Sequence, residues 1–344
     1  MTEPKEPILQ VEQLCKWFPA RRTLRQMLAR EQRWVKAVDG VSFDLHHGEI
    51  LAFVGESGCG KTTTGKLIMK LLEPTGGTMR FQGEDVTHAP RRALKAYHRH
   101  VQMIFQDPYA SMNPRFRAKD VLEEPLLIHR VGDTRREREQ RIRHALEAVR
   151  LTPPEEFMDR FPHMLSGGQR QRVATARTLV LSPKVIVADE PVSMIDLSTR
   201  ADILHTMKTV QQELGLTYLY ITHDLSTARY FADRVAVMYL GKIVEIGAAD
   251  DVIERAAHPY TQALIAAVCE PVAGRVNQIK NVPIRGEIPS AAAIPPGCRF
   301  HPRCPAAKPV CREIEPTFVN KNSDHRAACH LLAEETKFFG VLRA

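Results

Sequence analysis

The chain has 344 residues, 44% hydrophobic and 26% charged, which is an ordinary globular composition, and its length suggests about two domains. No apolar run approaches the ~18 residues that a membrane-spanning helix needs, and the polar N-terminus is unlike a signal peptide. We therefore expect a cytosolic chain that reaches any membrane through a partner. The net charge of +8 allows nucleic acid or acidic lipid as a partner, but the basic run at 135–150 also carries acids and an apolar helical face, which indicates a solvated surface.

Strand and helix patterns alternate along most of the chain. Apolar or alternating segments predict strands at residues 8–13, 41–45, 49–54, 78–82, 101–105, 185–189, 217–222, 234–239 and 242–246. Helical periodicity predicts helices at 62–72, 169–181, 198–214 and 225–231, and a helical subdomain at about 112–168. This alternation predicts an α/β fold with a parallel sheet at its core. The chain becomes Pro-rich near residue 272, so we expect domains at 1–271 and 272–344, the second small and Cys-rich.

Residues 55–62, GESGCGKT, match the phosphate-binding pattern G-x-x-x-x-G-K-[ST] in full, between a predicted strand and a predicted helix. Glycines let the backbone curl so that its N–H groups point at a phosphate, and the next helix turns its positive end to the same place. Lys61 is expected to act in catalysis at the β- and γ-phosphates of ATP, and Thr62 to hold Mg²⁺. The residues expected to contact ATP are Gly55, Glu56, Ser57, Gly58, Cys59, Gly60, Lys61, Thr62 and Thr63.

Two adjacent acids, Asp189 and Glu190, end the apolar strand predicted at 185–189. Because ligands of a nucleotide-binding sheet lie at the carboxyl ends of its strands, Asp189 is expected to orient Mg²⁺ and its water. Glu190 is the expected general base that polarises the attacking water. An acid pair alone is a weak signal, and the phosphate loop upstream makes it a strong one.

The third motif is LSGGQ at 165–169, directly before a predicted helix, where two glycines and a serine can form an anion-binding corner. Together the three motifs resemble those of the ABC (ATP-binding cassette) family. The resemblance implies an ABC-type P-loop domain with a RecA-like parallel core, an antiparallel β part and an α-helical subdomain. It also implies head-to-tail dimers, in which Ser166 and Gly168, beside Gly167 and Gln169, bind the γ-phosphate of ATP held by the other subunit.

Further positions match the same family one by one. Gln106 stands where the family has a glutamine that contacts Mg²⁺ and couples to other subunits. His223 matches the catalytic switch histidine at the γ-phosphate, and Asp196 matches an aspartate that links the two sites. Phe18 matches the aromatic residue that stacks on adenine, with Trp17 as its rival.

Four of the seven cysteines crowd the Pro-rich tail: Cys298, Cys304, Cys311 and Cys329. In a cytosolic chain such a group indicates a metal more than disulfides, and metal binding supplies folding energy that a tail with little apolar periodicity needs. Four thiolates suit zinc or an iron–sulfur cluster. The absence of C-x₂-C pairs favours a [4Fe–4S] cluster, while zinc or unmetallated thiols stay open.

The tail sequence IPSAAAIPPGCRFHPRCP at 288–305 resembles that of dipeptide/oligopeptide importer ATPases. The segments HPYTQAL at 258–264 and IFQDPYASMNPR at 104–115 are similar to the same group, and more to its F-type than to its D-type subunit. The resemblance implies a second, related ATPase chain, two transmembrane permease subunits at whose cytoplasmic face the chain sits, and an extracytoplasmic solute-binding protein. Some members carry an iron–sulfur cluster, and the group also handles nickel and oligosaccharides, so the solute stays open.

Two other interpretations stay open. A soluble ABC ATPase acting on nucleic acid or ribosomes fits the basic charge, but such proteins usually contain two cassettes or a long coiled coil, and this sequence has one phosphate loop and one LSGGQ. A regulatory cassette without hydrolysis would need a damaged Lys61, Glu190 or His223, and all three are intact. We therefore predict an importer ATPase with no direct nucleic-acid partner.

Overall fold

A computed structural model describes residues 6–20, 32–267, 284, 286–287, 289–322 and 324–332. The strands are β1 (Pro7–Pro19), β2 (Trp34–His46), β3 (Ile50–Val54), β4 (Gly76–Phe81), β5 (Glu84–Asp85), β6 (Val101–Ile104), β7 (Val185–Asp189), β8 (Thr217–Ile221), β9 (Arg234–Tyr239), β10 (Lys242–Ala248), β11 (Phe318–Asn320) and β12 (Arg326–Ala328). The α-helices are α1 (Lys61–Ile68), α2 (Arg91–His100), α3 (Ala118–His129), α4 (Arg135–Ala148), α5 (Pro154–Met158), α6 (Gly167–Leu179), α7 (Leu197–Leu214), α8 (Leu225–Phe231), α9 (Ala249–Glu254) and α10 (Pro259–Ala267).

The larger sheet has the order β11-β12-β10-β9-β3-β8-β7-β6 in the described part of the chain. Its strands β9, β3, β8, β7 and β6 are parallel, and β10, β12 and β11 add antiparallel pairs at one edge. Every residue of β3, β7 and β8 is buried, as expected for parallel strands covered on both faces. The predicted α/β fold with a parallel core is confirmed.

The smaller sheet is antiparallel, with the order β2-β1-β4-β5. It shares a hydrophobic core with one face of β3, where the rings of Phe43 and Phe53 meet edge to face with centroids 4.9 Å apart. Strands β1 and β2 run longer than the sequence predicted. Their pairing contains several register shifts, and each shift breaks the alternation by which a strand is recognised.

The helices α3, α4 and α6 pack together on the other face of β3. Leu122, Leu126, Ile142, Leu146 and Val173 belong to the same buried cluster as alternate residues of β3. Helix α2 was not predicted, because six of its ten residues are Arg, Lys or His and Tyr97 is its buried residue. No helix in the described ranges is long and apolar enough to cross a bilayer.

Two short strands near the C-terminus extend the larger sheet beyond β10. Ala327 of β12 pairs with Glu245 of β10, and Phe300 lies in the main hydrophobic core. These strands were not predicted, since three residues are too few to show alternation. The Cys-bearing tail therefore packs directly on the strands that position the phosphate loop.

Candidate active site

The phosphate loop leads from β3 into α1, as the motif predicts. Gly55 has a φ of 153° and Gly60 a φ of 113°, a region that side-chain-bearing residues rarely adopt. A Cβ on Gly55 would lie 2.3 Å from the carbonyl oxygen of Met238, and a Cβ on Gly60 would lie 2.3 Å from that of Ala37. Both glycines are therefore required by neighbouring backbone as well as by their own conformation.

Lys61 lies inside the curl of this loop and is buried. Its Nζ donates to the carbonyl oxygens of Gly55 at 2.7 Å and Glu56 at 3.1 Å. Of the remaining loop residues, Ser57 and Gly58 are exposed at the tip, Cys59 is buried and Thr63 is half-buried. The ammonium group is thus fixed at the centre of the loop by the loop's own backbone.

Thr62 and Asp189 join the start of α1 to the end of β7. The hydroxyl Oγ1 of Thr62 donates to Oδ1 of Asp189 at 3.0 Å. Burial raises the pKa of Asp189 and the charge of Glu190 adds to that effect, while the bond from Thr62 opposes it. A buried carboxylate beside a hydroxyl is the kind of oxygen pair that a divalent cation can bind.

Glu190 follows β7 and receives two polar side chains from neighbouring strands. Nε2 of Gln106 donates to its Oε2 at 3.1 Å, and Nδ1 of His223 lies 3.1 Å from its Oε1. Its backbone N–H donates to the carbonyl oxygen of Ile221 at 2.9 Å. Gln106 and His223, which were predicted from separate motifs, therefore both contact the carboxylate of Glu190. This carboxylate lies next to the Thr62–Asp189 pair.

The LSGGQ segment begins α6 on the helical part of the molecule. Ser166 and Gln169 cap each other, with distances of 3.0 and 3.2 Å between side chain and backbone nitrogen. Gly167 has open space around its Cα, whereas a Cβ on Gly168 would lie 2.6 Å from the methyl of Thr199. Across the ranges that the structure covers, no hydrogen bond or ion pair joins this segment to residues 55–62.

Asp196 caps the first turn of α7, close to the LSGGQ segment through Thr199. Its Oδ1 accepts from the Ser198 hydroxyl and from the backbone and hydroxyl of Thr199. These bonds, led by the one from Ser198, lower the pKa of Asp196 to about 2. The carboxylate is thereby held ionised at the start of the helix.

The two aromatic candidates for the adenine contact differ in their surroundings. The indole N–H of Trp17 donates to Oδ1 of Asp39 at 2.9 Å, and the Lys36 ammonium lies 4.6 Å from the centre of a Trp17 ring. Phe18 is half-buried, with the Lys16 ammonium 5.3 Å from its ring centre. Trp17 is therefore held by its own neighbours in a way that Phe18 is not.

Contacts from the C-terminal part reach the phosphate loop, and the sequence motifs did not reveal them. Glu56 pairs with Arg303, and its backbone N–H donates to the hydroxyl of Tyr260 at 2.9 Å. Arg303 stands 247 residues further along the chain, so no local pattern connects the two. The sequence does contain one general signal: a half-buried acid such as Glu56 needs a cationic partner to offset the cost of burying its charge.

The four tail cysteines are free thiols in one region. Cys311 and Cys329 are buried, and the backbone N–H of Cys298 donates to the carbonyl oxygen of Cys311 at 2.9 Å. Burial, with a smaller contribution from the other three thiols, raises the pKa of Cys298 to about 11. No three His, Cys, Asp or Glu side chains among the described residues converge closely enough to hold a metal ion.

The fold and the arrangement of the motifs define an ATP-binding cassette ATPase. The family model "ABC transporter" matches residues 38–193, and "Oligopeptide/dipeptide transporter, C-terminal region" matches residues 244–311. The oligopeptide transport ATP-binding protein AppF of Bacillus subtilis is 45% identical over 95% of this chain and 98% of its own length. The dipeptide transport ATP-binding protein DppF of Escherichia coli is 45% identical over 91% of each chain.

Solved structures show the same cassette. The dimeric post-hydrolysis structure of the cassette MJ0796, bound to ADP and Pi, has a TM-score of 0.61 and 27% identity, over 70% of this chain and 98% of that one. The chain belongs to the oligopeptide/dipeptide ABC transporter ATP-binding family. The predicted family and the predicted activity of an importer ATPase are thereby confirmed, and nothing in these matches favours the alternative that acts on nucleic acid or ribosomes.

Proposed function

We propose that this chain energises the uptake of di- or oligopeptides by hydrolysing ATP at residues 55–62 and the side chains around them. The observation that carries the proposal is the meeting of Gln106, Glu190 and His223 beside the Thr62–Asp189 pair. These residues follow β6, β7 and β8 or begin α1, so they share one end of the parallel sheet.

The loop residues bind the nucleotide in this proposal. Lys61 and the loop N–H groups hold the β- and γ-phosphates, and Thr62 with Asp189 supplies oxygen ligands to Mg²⁺. The charge of the cation offsets the cost of burying the Asp189 carboxylate. Gln106 adds its side-chain amide to the same site, and Phe18 stacks on the adenine.

Glu190 acts as the general base. Its carboxylate accepts a proton from a water molecule while the water oxygen bonds to the γ-phosphorus. The bond from that phosphorus to the β–γ bridging oxygen breaks, and ADP is the leaving group. His223 contacts the γ-phosphate and keeps Glu190 oriented through the Nδ1 contact.

A second subunit completes the site. Ser166 and Gly168, with Gly167 and Gln169, bind the γ-phosphate held by the partner, and Asp196 relates the two sites. Support comes from the position of LSGGQ on the helical part, where its hydrogen bonds remain within the start of α6. Support also comes from the dimeric state named for the similar cassette MJ0796.

The working complex contains a related but different ATPase chain, two transmembrane permease subunits and an extracytoplasmic solute-binding protein. The chain itself is a peripheral subunit on the cytoplasmic face of the membrane and acts as a translocase with its partners. The names of AppF and DppF support peptides as the solute. Nickel and oligosaccharides are the alternative solutes, and the uptake assay must distinguish them from peptides.

Purification of the tagged chain from its native membranes tests this assembly. We expect two hydrophobic permease subunits and a second ATPase to co-purify, and we expect Lys61→Ala to abolish uptake of labelled di- and oligopeptides while the complex persists. Uptake of labelled nickel or oligosaccharide in place of peptide would correct the solute. Co-purification of ribosomes or RNA without a permease would contradict the importer.

The Cys-bearing tail is proposed as a second, smaller domain of the chain. Residues 1–271 form the nucleotide-binding domain, with the helical subdomain at about 112–168, and residues 272–344 form the C-terminal domain. Within it the thiolates of Cys298, Cys304, Cys311 and Cys329 would hold a [4Fe–4S] cluster. Support comes from the closeness of the thiols to one another: the pKa values of Cys298, Cys304 and Cys329 are raised by burial and, to a smaller extent, by the neighbouring thiols of the same group.

A further inference from the structure

Two buried arginines lie inside the segment bounded by Cys298 and Cys304. Arg299 directly follows the first cysteine and Arg303 directly precedes the second. Both side chains reach out of the tail to acids of the nucleotide-binding part, Asp39 and Glu56. The peptide-importer tail therefore touches the ATP site at two points through charged side chains.

The contact between Arg303 and Glu56 is bidentate and fixes the geometry of both groups. Nη1 donates to Oε2 at 2.7 Å and Nη2 to Oε1 at 3.0 Å. The guanidinium lies 5.8 Å from the ring centre of Tyr239 and 5.9 Å from that of Phe300. Because it is paired, planar and packed beside two rings, the guanidinium has little freedom to move away from the carboxylate.

Glu56 in turn is part of the backbone that holds Lys61. The carbonyl oxygens of Gly55 and Glu56 both accept from the Lys61 ammonium. The N–H of Glu56 is itself anchored on the hydroxyl of Tyr260 from α10. A shift of Glu56 therefore moves both the loop backbone and the lysine at its centre.

The second arginine contacts β2. Arg299 pairs with Oδ2 of Asp39, whose Oδ1 accepts from the indole of Trp17. Burial alone would raise the pKa of Asp39, but the hydrogen bond and charge of Arg299, together with Lys36 and Trp17, outweigh burial and lower it. Asp39 thus remains a carboxylate bridging the tail and the strand that carries both adenine candidates.

We propose that Arg303 is a positioning residue for the phosphate loop, acting through Glu56 to set the affinity for ATP. The inference rests on the proposed role of residues 55–62. In the described part of the chain Arg303 contacts Glu56, Tyr239 and Phe300. Its loss should therefore change how well the loop is preformed and leave the Glu190 chemistry in place. The tail is then an integral part of the ATP site.

Steady-state kinetics of the full chain separate this role from a general structural one. For Arg303→Gln we expect the KM and the Kd for ATP to rise about tenfold, the size of a typical coupling between contacting residues, and kcat to stay within about twofold. Arg303→Lys keeps the charge without the planar fork, so its KM should lie between those of the wild type and Arg303→Gln. Arg312→Gln, an exposed arginine of the same segment, is the matched control and should leave KM unchanged.

A double-mutant cycle with Glu56→Gln tests the route of the effect. Because both changes break the same pair, the double variant should be no weaker in ATP binding than the weaker single variant. Additive effects, or a folded Arg303→Gln protein with wild-type KM, would overturn the inference. A lower kcat and a lower melting temperature with an unchanged KM would show that Arg303 has a purely structural role, and this result would also overturn the inference. If the wild-type chain neither binds nor hydrolyses ATP, the proposed role of the loop fails instead.

Discussion

Glu190 occupies a left-handed backbone conformation, with a φ of 46°, that residues with side chains seldom adopt. Such a conformation costs on the order of 1–3 kcal/mol and persists only where surrounding contacts impose it. Here the contacts are the backbone bond to Ile221 and the two side chains, Gln106 and His223, on its carboxylate. The backbone thus directs this carboxylate, and not that of Asp189, towards the other catalytic candidates.

Glu190→Gln should reduce ATP turnover by about 10²–10⁴-fold, since the amide cannot accept the proton from water. ATP binding should persist, because the loop residues are untouched and glutamine can still bond to Gln106. The expected result is an ATP-bound dimer that accumulates with Mg²⁺, measured by size-exclusion chromatography beside a phosphate-release assay. Glu213→Gln on the exposed face of α7 is the control, and full turnover in the Glu190 variant would exclude this residue as the base.

Residues that act through local spacing were predictable, and residues that act across the fold were not. Lys61 and Thr62 follow from eight consecutive letters, and Asp189 from a strand ending in acids. Their individual roles stay predictions. Arg303 and Tyr260 reach Glu56 from 247 and 204 residues away, and such pairs are determined by tertiary packing that one sequence does not display.

At the level of elements, burial decided what could be predicted. Strands β7 and β8 are buried at every position, so their apolar runs were clear in the sequence. Strand β12 is only three residues long and is fixed by a buried contact, in which His325 meets the carboxylate of Glu245 from β10. The two residues of this contact are 80 positions apart in the sequence, so no periodic pattern connects them.

The turn between α9 and α10 contains a fully buried histidine with a consequence for stability. Burial lowers the pKa of His258 to about 4, against a smaller opposing effect of Glu245. The pKa of His258 in the folded protein lies below the unfolded value near 6.5, so the unfolded chain binds a proton first as the pH falls. The protein therefore keeps its full stability above about pH 6.5 and loses stability as the pH falls towards 4. This histidine alone should remove about 2 kcal/mol of unfolding free energy between pH 7 and pH 5.

His258→Asn isolates that contribution. Asparagine can still accept the backbone N–H of Tyr260, as Nδ1 of His258 does at 3.0 Å, but it does not titrate. The variant should be less stable at pH 7 and should lose less stability than the wild type on acidification to pH 5. Urea unfolding at both pH values measures the difference, and equal losses in the two proteins would contradict the role of His258.

At the scale of the whole molecule, the sequence alone predicts an incomplete site. One phosphate loop and one LSGGQ in a chain of this length imply that two copies or two relatives must meet. The structure keeps the two motifs on different parts of the molecule, with LSGGQ at the start of α6 and the loop at the start of α1. What the motifs did not predict is that the tail packs against the loop, because that depends on how the C-terminal strands join β10.

The tail cysteines lead to a prediction about metal binding by the full chain. Cys298, Cys304 and Cys329 have raised pKa values because they are buried, so they are neutral thiols at pH 7, and a metal must displace their protons on binding. The full chain, reconstituted anaerobically with iron and sulfide, should take up about four iron atoms with matching sulfide and show the absorption of a [4Fe–4S] centre. Cys304→Ser should lose this absorption.

Cys15→Ser, which changes a thiol in β1 far from the tail in sequence, is the matched control and should keep the full iron content. Arg303 directly precedes Cys304, so loss of the cluster should also raise the KM for ATP if the tail positions the phosphate loop. In the Arg303→Gln variant, whose KM is already raised, loss of the cluster should cause no additional rise. Stoichiometric zinc without iron or sulfide would replace the cluster by a structural zinc site. Protein free of metal with unchanged stability would leave the four cysteines as free thiols.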